Sequence, residues 1–169
     1  QGVVVIALYN GATLTNAYVK TEGSSFTIPA STSSAKVWAI GGGGGGGGAI
    51  ENDGTSGGSG AAGGVAYITK AVSPGDNITY SIGAGGRAGH GSLNGTAGGN
   101  TSVTIAGTTI YGNGGGAGQY NSLTNASGGT YSGGDGGANG GNGYGRTGDV
   151  GGGGGGAIGS VNGTQAGND

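Results

Sequence analysis

One histidine and a few acidic residues are the only side chains in this sequence that could carry acid-base catalysis. His90 is the single imidazole, so a Ser-His-Asp set would need it, and no acidic residue lies close to it in the chain. Glu51 and Asp53 form a close acidic pair, but a glycosidase needs two carboxylates held across a shaped cleft. Glycine-rich surroundings do not hold such a pair in place. The sequence therefore predicts no catalytic residues and no enzyme.

Two glycine-rich patterns are similar to ligand-binding motifs, and each lacks a required part. The stretch Gly83–Ala88 has the glycines of a dinucleotide-binding turn, but that turn must open a helix, and Gly89-His90-Gly91 follows instead. Asp135 and Asp149 lie among glycines as in calcium-binding repeats, which need the aspartate in a fixed register. With no cysteine in the chain, thiolate metal sites are also excluded. We expect no metal and no cofactor.

Three tyrosines recur every 11 to 13 residues in the second half of the chain: Tyr120, Tyr131 and Tyr144. Their neighbours are Ser, Gly and Asn, the residues that accompany tyrosine in protein recognition surfaces. Together with Asp135 and Arg146 they are the candidate ligand contacts. The tyrosines have two interpretations. They form a contact surface for a saccharide or an outer-membrane protein loop, or each covers the edge of a glycine layer.

The chain opens with a continuous apolar run, from Val3 to Tyr9. Such a run is typical of a strand buried on both faces. It could be a central strand of the chain's own sheet, or a strand donated to a neighbouring subunit, as in filaments that grow by strand addition. In the second case the subunit contacts would be the apolar side chains Val3, Val4, Val5, Ile6 and Leu8.

The remaining pattern is that of an all-β protein. Turn signals at Asn10-Gly11 and Ser73–Asp76 separate apolar or alternating segments, and no segment has the 3.6-residue apolar period of a helix. Since glycine also disfavours helices, almost no α-helix is expected. The predicted strands are Val3–Tyr9, Thr13–Lys20, Ser25–Ile28, Ala35–Ile40, Val65–Val72, Asn77–Ile82, Thr101–Ala106 and Thr108–Tyr111.

Glycine accounts for 52 of the 169 residues, and it is sparse where strands are predicted and dense between them. Disorder is one interpretation, because glycine loses the most backbone entropy on folding. The alternative is that segments tied at both ends by strands pack as polyglycine II helices, with three residues per turn. We expect one domain with three parts: an N-terminal strand segment (1–24), a β core with interleaved glycine-rich loops (25–112) and a polyglycine II region (113–169).

The order of these segments resembles the glycine-rich domain found at the ends of bacteriophage tail fibres and in related secreted or surface proteins. The matching stretches are Ser25–Ala30, Ala35–Ile40 with the glycine run after it, Gly63–Tyr67, Ser73–Gly86 and Gly98–Val103. The resemblance covers roughly residues 25 to 160, and the run from Gln1 to Tyr9 lies outside it. It implies a β-sandwich that carries polyglycine II helices and, in tail fibres, a distal position and host-surface recognition.

The leading expectation is a jelly-roll-like β-sandwich that recognises a receptor on a bacterial surface, as the distal part of a phage tail fibre. The alternative is a secreted, pilus-like filament subunit that polymerises through its N-terminal strand. Both place the chain outside the cell, as a homo-oligomer or filament. The net charge of −2 offers no basic surface for nucleic acid, and no apolar run reaches the roughly 20 residues of a membrane span. A chain that starts at Gln1 is expected to be a processed protein or a fragment.

Overall fold

The computed structural model describes residues 1–50 and 55–145, and within these ranges all regular structure is β. No helix in the described part is long and apolar enough to span a membrane. The ten strands are β1 (Val3–Asn10), β2 (Thr13–Lys20), β3 (Ser25–Thr27), β4 (Ser34–Ile40), β5 (Val65–Ala71), β6 (Asn77–Ser81), β7 (Thr101–Ile105), β8 (Thr108–Gly112), β9 (Tyr131–Ser132) and β10 (Gly136–Ala138).

The strands form two antiparallel sheets of five, which pack as a sandwich. The first sheet has the order β10-β5-β4-β1-β2 and the second has the order β3-β6-β7-β8-β9. Alternation along β4 shows how the sequence builds the interior: Ala35 and Val37 are fully buried, while Lys36 and Trp38 lie on the outer face. The all-β, sandwich-like prediction is confirmed, and the jelly-roll connectivity stays a prediction.

The eight predicted strands are all present, with ends within one residue of those expected. β9 and β10 were not predicted, and both lie in the part assigned to polyglycine packing (113–169). β9 has two residues, and Gly136–Ala138 has no β-branched or aromatic side chain. Such short segments carry no strand pattern, and pairing with β8 and β5 defines them.

Within residues 1–50 and 55–145, seven glycine-rich segments continue from the strands at one end of the sandwich. We name them PG1 (41–48), PG2 (57–64), PG3 (83–89), PG4 (93–99), PG5 (113–119), PG6 (126–130) and PG7 (139–145). PG1, PG3, PG5 and PG7 leave β4, β6, β8 and β10, and PG2, PG4 and PG6 lead back into β5, β7 and β9. Segments therefore alternate in direction along the chain. We call their assembly the glycine lattice.

Hydrogen bonds between the segments repeat every three residues, as in polyglycine II. PG1 is the centre of the arrangement. Its amides donate to PG2 in the pairs Gly41–Gly64, Gly44–Ala61 and Gly47–Gly58, and to PG4 in the pairs Gly42–Gly99, Gly45–Thr96 and Gly48–Leu93. Its carbonyls accept from PG5 in the pairs Gly42–Gly115 and Gly45–Gly118, and from PG3 in the pairs Gly43–Gly86 and Gly46–Gly89. Among the described segments, PG1 is thus hydrogen-bonded to four others.

The same contacts require glycine at six of the eight positions of PG1, since only at Gly43 and Gly46 would an added Cβ meet no described atom closer than 3.5 Å. A Cβ at Gly44 would overlap the carbonyl oxygen of Gly116, and one at Gly45 would overlap that of Arg87. In PG3, at the periphery, only every third residue faces the lattice centre. The chain accordingly has Ala84 and Arg87 at two of the other positions.

Candidate functional site

The glycine lattice places three loops together at its end far from the sandwich. These distal loops connect PG1 to PG2 (residues 49–56, described at 49–50 and 55–56), PG3 to PG4 (residues 90–92) and PG5 to PG6 (residues 120–125). A rise of about 3.1 Å per residue over PG5 places them roughly 20 Å beyond the last strand residues. Loops on a rigid scaffold are the usual location of binding residues.

Hydrogen bonds join the third distal loop to the first loop and to the start of PG4. The Tyr120 amide donates to Oδ1 of Asn94 at 2.8 Å, which links the third loop to the start of PG4. The Asn121 amide donates to the carbonyl of Ser56 at 3.3 Å, which links the third loop to the first. Asn121 has a φ of 45°, a left-handed conformation that asparagine tolerates better than most residues. The first and third loops and the start of PG4 therefore lie next to one another at the distal end.

One large aliphatic side chain per loop region is exposed at this end. Leu123 in the third loop is 72 % exposed, Leu93 at the start of PG4 is 64 % exposed, and Ile50 in the first loop is 39 % exposed. Apolar side chains exposed at one end of the molecule with polar residues beside them make that end a candidate interaction surface. Their polar neighbours are amides and hydroxyls, namely Asn94, Asn121, Ser122, Thr124 and Asn125. Such a set can hydrogen-bond a polar ligand and also cover its apolar parts.

The structure separates the candidate ligand contacts. Tyr120 lies in the third distal loop and Tyr144 near the distal end of PG7, where its carbonyl accepts from the Ser59 amide at 2.9 Å. Tyr131 is on β9 at the sandwich, where its ring lies against Gly137. Hence Tyr120 and Tyr144 are near the distal loops and Tyr131 is not.

Asp135 also lies at the sandwich, in the turn between β9 and β10. Its carboxylate accepts from the Thr69 amide at 2.7 Å, and its own amide donates to the Tyr67 carbonyl at 2.9 Å. Asp135 thus holds the turn against β5. Arg146 is outside the described residues.

The N-terminal run forms β1, between β2 and β4 in the first sheet. Val4, Ile6 and Leu8 are fully buried in the chain's own core, whereas Val3 and Val5 lie on the outer face. Both edges of β1 are therefore paired within this chain.

The other motifs have structural roles or lie elsewhere. Gly83–Ala88 runs through PG3, where the Gly86 amide donates to Gly43 within the lattice. His90 is exposed in the second distal loop. Glu51, Asp53, Asp149 and the glycine run 151–156 are outside the described residues.

Sequence reasoning did not select Ile50, Leu93 or Leu123. A signal was present, since each is an isolated aliphatic residue between two glycine segments. A loop that only turns the chain needs small or polar residues there. A family model described as a glycine-rich domain matches residues 19–169. No curated protein is significantly similar to the chain.

Proposed function

The chain belongs to the glycine-rich domain family, and from this membership and its distal loops we propose that it is an extracellular recognition module. In this proposal it is the distal, receptor-binding part of a phage tail fibre. Its ligand is a saccharide or an outer-membrane protein loop on a bacterial surface. The observation that carries the proposal is the exposure of Ile50, Leu93 and Leu123 at the distal end of the hydrogen-bonded lattice.

In the proposed mechanism the sandwich and the lattice hold the distal loops in place, and the distal loops bind the ligand. The sandwich holds the ends of the glycine segments, and the hydrogen-bonded lattice fixes the loops in place before the ligand arrives. A preformed surface pays little ordering entropy on binding. Asparagine and tyrosine groups then hydrogen-bond the ligand, while the aliphatic side chains remove apolar surface from water.

Cell binding tests the proposal directly. Fluorescently labelled chain is added to intact cells from a panel of bacterial strains, and bound label is measured. We expect at least one strain to bind, and Leu93→Ser with Leu123→Ser to lower the bound label by about tenfold, the equivalent of roughly 1.4 kcal/mol. The matched control is Leu14→Ser on β2, which removes an exposed leucine far from the loops. Binding to no strain, or equal binding by all three proteins, would contradict the proposal.

The filament alternative requires β1 to pair with a neighbouring subunit. Within this chain β1 is already paired on both edges, and Val4, Ile6 and Leu8 fill its own core, so no contact favours that alternative. Electron microscopy of the full chain separates the two: ordered filaments would support strand donation, and single particles that bind cells would support recognition.

A further inference from the structure

A pocket lies on the sandwich, at the edge of the first sheet, and it shares no residue with the distal loops of the proposed function. It has a volume of about 260 Å³ and is lined by Trp38 of β4, Val65 and Tyr67 of β5, and Gly137 and Ala138 of β10. The pocket thus spans three neighbouring strands. Pockets for drug-sized ligands measure about 300–1,000 Å³, so this one suits a single ring-sized group.

Two aromatic rings form one wall of the pocket. Trp38 and Tyr67 are direct partners in the register of β4 and β5, and side chains at such positions lie about 5 Å apart on the same face. Gly136, the partner of Tyr67 on β10, lets the tyrosine ring lie across that strand. An added Cβ at Gly136 would be 2.8 Å from the Tyr67 hydroxyl oxygen and 3.0 Å from its Cζ. The Tyr67 ring is therefore packed against the β10 backbone before any ligand binds.

A cation lies against the same two rings. The Lys36 ammonium is 5.0 Å from the centroid of the Trp38 ring and 4.5 Å from the centroid of the Tyr67 ring, both within cation–π range. In the strand register, Lys36 and Val65 flank the Trp38–Tyr67 row from opposite sides. A group that contacts either ring from the Val65 side lies within roughly 9 Å of the ammonium, less than the Debye length of about 10 Å at 0.1 M salt.

Lys36 sets the sign of the charge that the pocket favours. The five described residues that line the pocket are uncharged. The carboxylate of Asp135 accepts from the Thr69 amide at 2.7 Å, and Thr69 lies on the Lys36 side of the ring row, away from Val65. This carboxylate is held at the strand edge by a backbone donor, whereas the ammonium contacts the rings of the wall. An anionic group stacked on those rings is therefore the complementary one.

We propose that this pocket binds a carboxylated pyranose, such as a hexuronic acid unit of an acidic polysaccharide. The face of an aromatic ring is electron-rich, and the C–H groups on one face of a pyranose pack against such a surface. The hydroxyl groups at the edge of the sugar ring remain in water. The carboxylate adds the negative charge that Lys36 attracts. The site is separate from the distal loops and does not depend on the function proposed for them.

Tryptophan fluorescence tests the proposal in the full chain, because Trp38 is its single tryptophan. The chain is titrated at low salt with D-glucuronate and D-galacturonate, and with D-glucose and D-galactose, which have the same rings without the carboxylate. We expect at least one hexuronate to change the emission saturably and to bind about fivefold more tightly than its matching hexose, as for one partly exposed charge pair. Added salt should remove the difference.

Three variants assign the binding to this pocket. Lys36→Gln should weaken hexuronate binding about fivefold and leave hexose binding unchanged. Tyr67→Ala removes half of the aromatic wall and should weaken both sugars about tenfold. Ala138→Leu fills the pocket, keeps both rings and should abolish binding, so it tests the site even if Tyr67→Ala disturbs β10. The matched control is Tyr111→Ala, which removes a 42 % exposed tyrosine from the second sheet and should change nothing.

Four results would overturn the proposal. Emission that neither hexuronate changes would mean that the pocket does not bind these sugars. Equal affinity for hexose and hexuronate, unaffected by Lys36→Gln, would mean that charge plays no part. Binding that persists in Ala138→Leu would place the sugar elsewhere. Emission that shifts on dilution of the chain without sugar would identify a second copy as the occupant.

The result is independent of the distal surface. Leu93→Ser with Leu123→Ser should leave hexuronate binding unchanged, because neither leucine lines the pocket. Loss of cell binding in that double variant and loss of hexuronate binding in Ala138→Leu are therefore separate outcomes, and failure of one proposal does not decide the other.

Discussion

The sandwich and the glycine lattice hold the same two layers of chain together in different ways. The strands form the layers in the sandwich, and the glycine segments that continue from the strands form them in the lattice. In the sandwich, side chains such as Leu8 and Val103 fill the space between the sheets, which in proteins lie about 10 Å apart. Beyond the strands there are no large side chains between the two layers, so their backbones come close enough to form hydrogen bonds. The Gly42 amide, which follows the first sheet, donates to the Gly99 carbonyl, which leads into the second, at 2.9 Å.

This difference indicates that the lattice depends on the sandwich. Ordering a residue costs about 1–2 kcal/mol of backbone entropy, and glycine costs the most. A hydrogen bond returns about 1 kcal/mol, and a Cα–H···O contact somewhat less. Isolated glycine segments would therefore have marginal stability. Strand pairing sets the register of the glycine segments. Ile40 pairs with Val65, and the next residue, Gly41, donates its amide to the Gly64 carbonyl.

The largest expected effect comes from the hydrophobic core. Leu8→Ala should lower the free energy of unfolding by about 4 kcal/mol, because it leaves a cavity between the sheets. Leu14→Ala is the matched control, and since Leu14 is 54 % exposed it should cost less than about 0.5 kcal/mol. Denaturant titration followed by tryptophan fluorescence measures both. Equal losses would mean that the sandwich core is not where stability resides.

The lattice has its own matched pair on adjacent residues. Gly44→Ala places a Cβ on the backbone carbonyl of Gly116, which cannot move without breaking the lattice. We expect a loss of about 3 kcal/mol, the upper range for overpacking. At Gly43 the nearest atom is 3.6 Å from the added Cβ, so Gly43→Ala should cost less than about 1 kcal/mol, since the substitution also restricts the unfolded chain. The same titration applies. If Gly44→Ala and Gly43→Ala lower the free energy of unfolding by the same small amount, the glycine segments are not closely packed.

The smallest effect concerns the turn between β9 and β10, which lies in the sandwich. Asp135→Ala removes the acceptor for the Thr69 amide, and because the site is exposed we expect a cost of about 1 kcal/mol. Asp135→Asn keeps an acceptor oxygen and should recover more than half of that loss. If both variants match the unmodified chain in thermal unfolding, Asp135 does not hold the turn.

Much of the sandwich could be predicted because its side chains mark their faces. β4 alternates between buried and outward residues, and the turn at Asn10-Gly11 precedes β2, with Gly11 at a φ of 60°. β9 and β10 could not be predicted, since Gly136–Ala138 has the same composition as the segments around it. Gly136–Ala138 is a strand because it pairs with β5, and its own residue types do not indicate that pairing.

The candidate site was predictable only in part for the same reason. Tyr120 and Tyr144 were selected from their spacing, yet their neighbour in that pattern, Tyr131, lies at the sandwich. Glycine carries no marker of which face packs against which segment, so the sequence could not show which loops meet at the distal end. The exposure of Leu93 and Leu123 becomes informative only once the structure shows that both lie at the distal end of the lattice.

The central claim is that the glycine segments form an ordered lattice, and amide exchange along residues 41–48 tests it most directly. We expect amide exchange rates to repeat every three residues along PG1. Gly44, Gly45, Gly47 and Gly48 donate to PG2 or PG4 and should exchange slowly, while Gly43 and Gly46 have no partner within the described residues and should exchange faster. Uniformly fast exchange at all eight glycines, at the rate of an unstructured peptide, would contradict the claim.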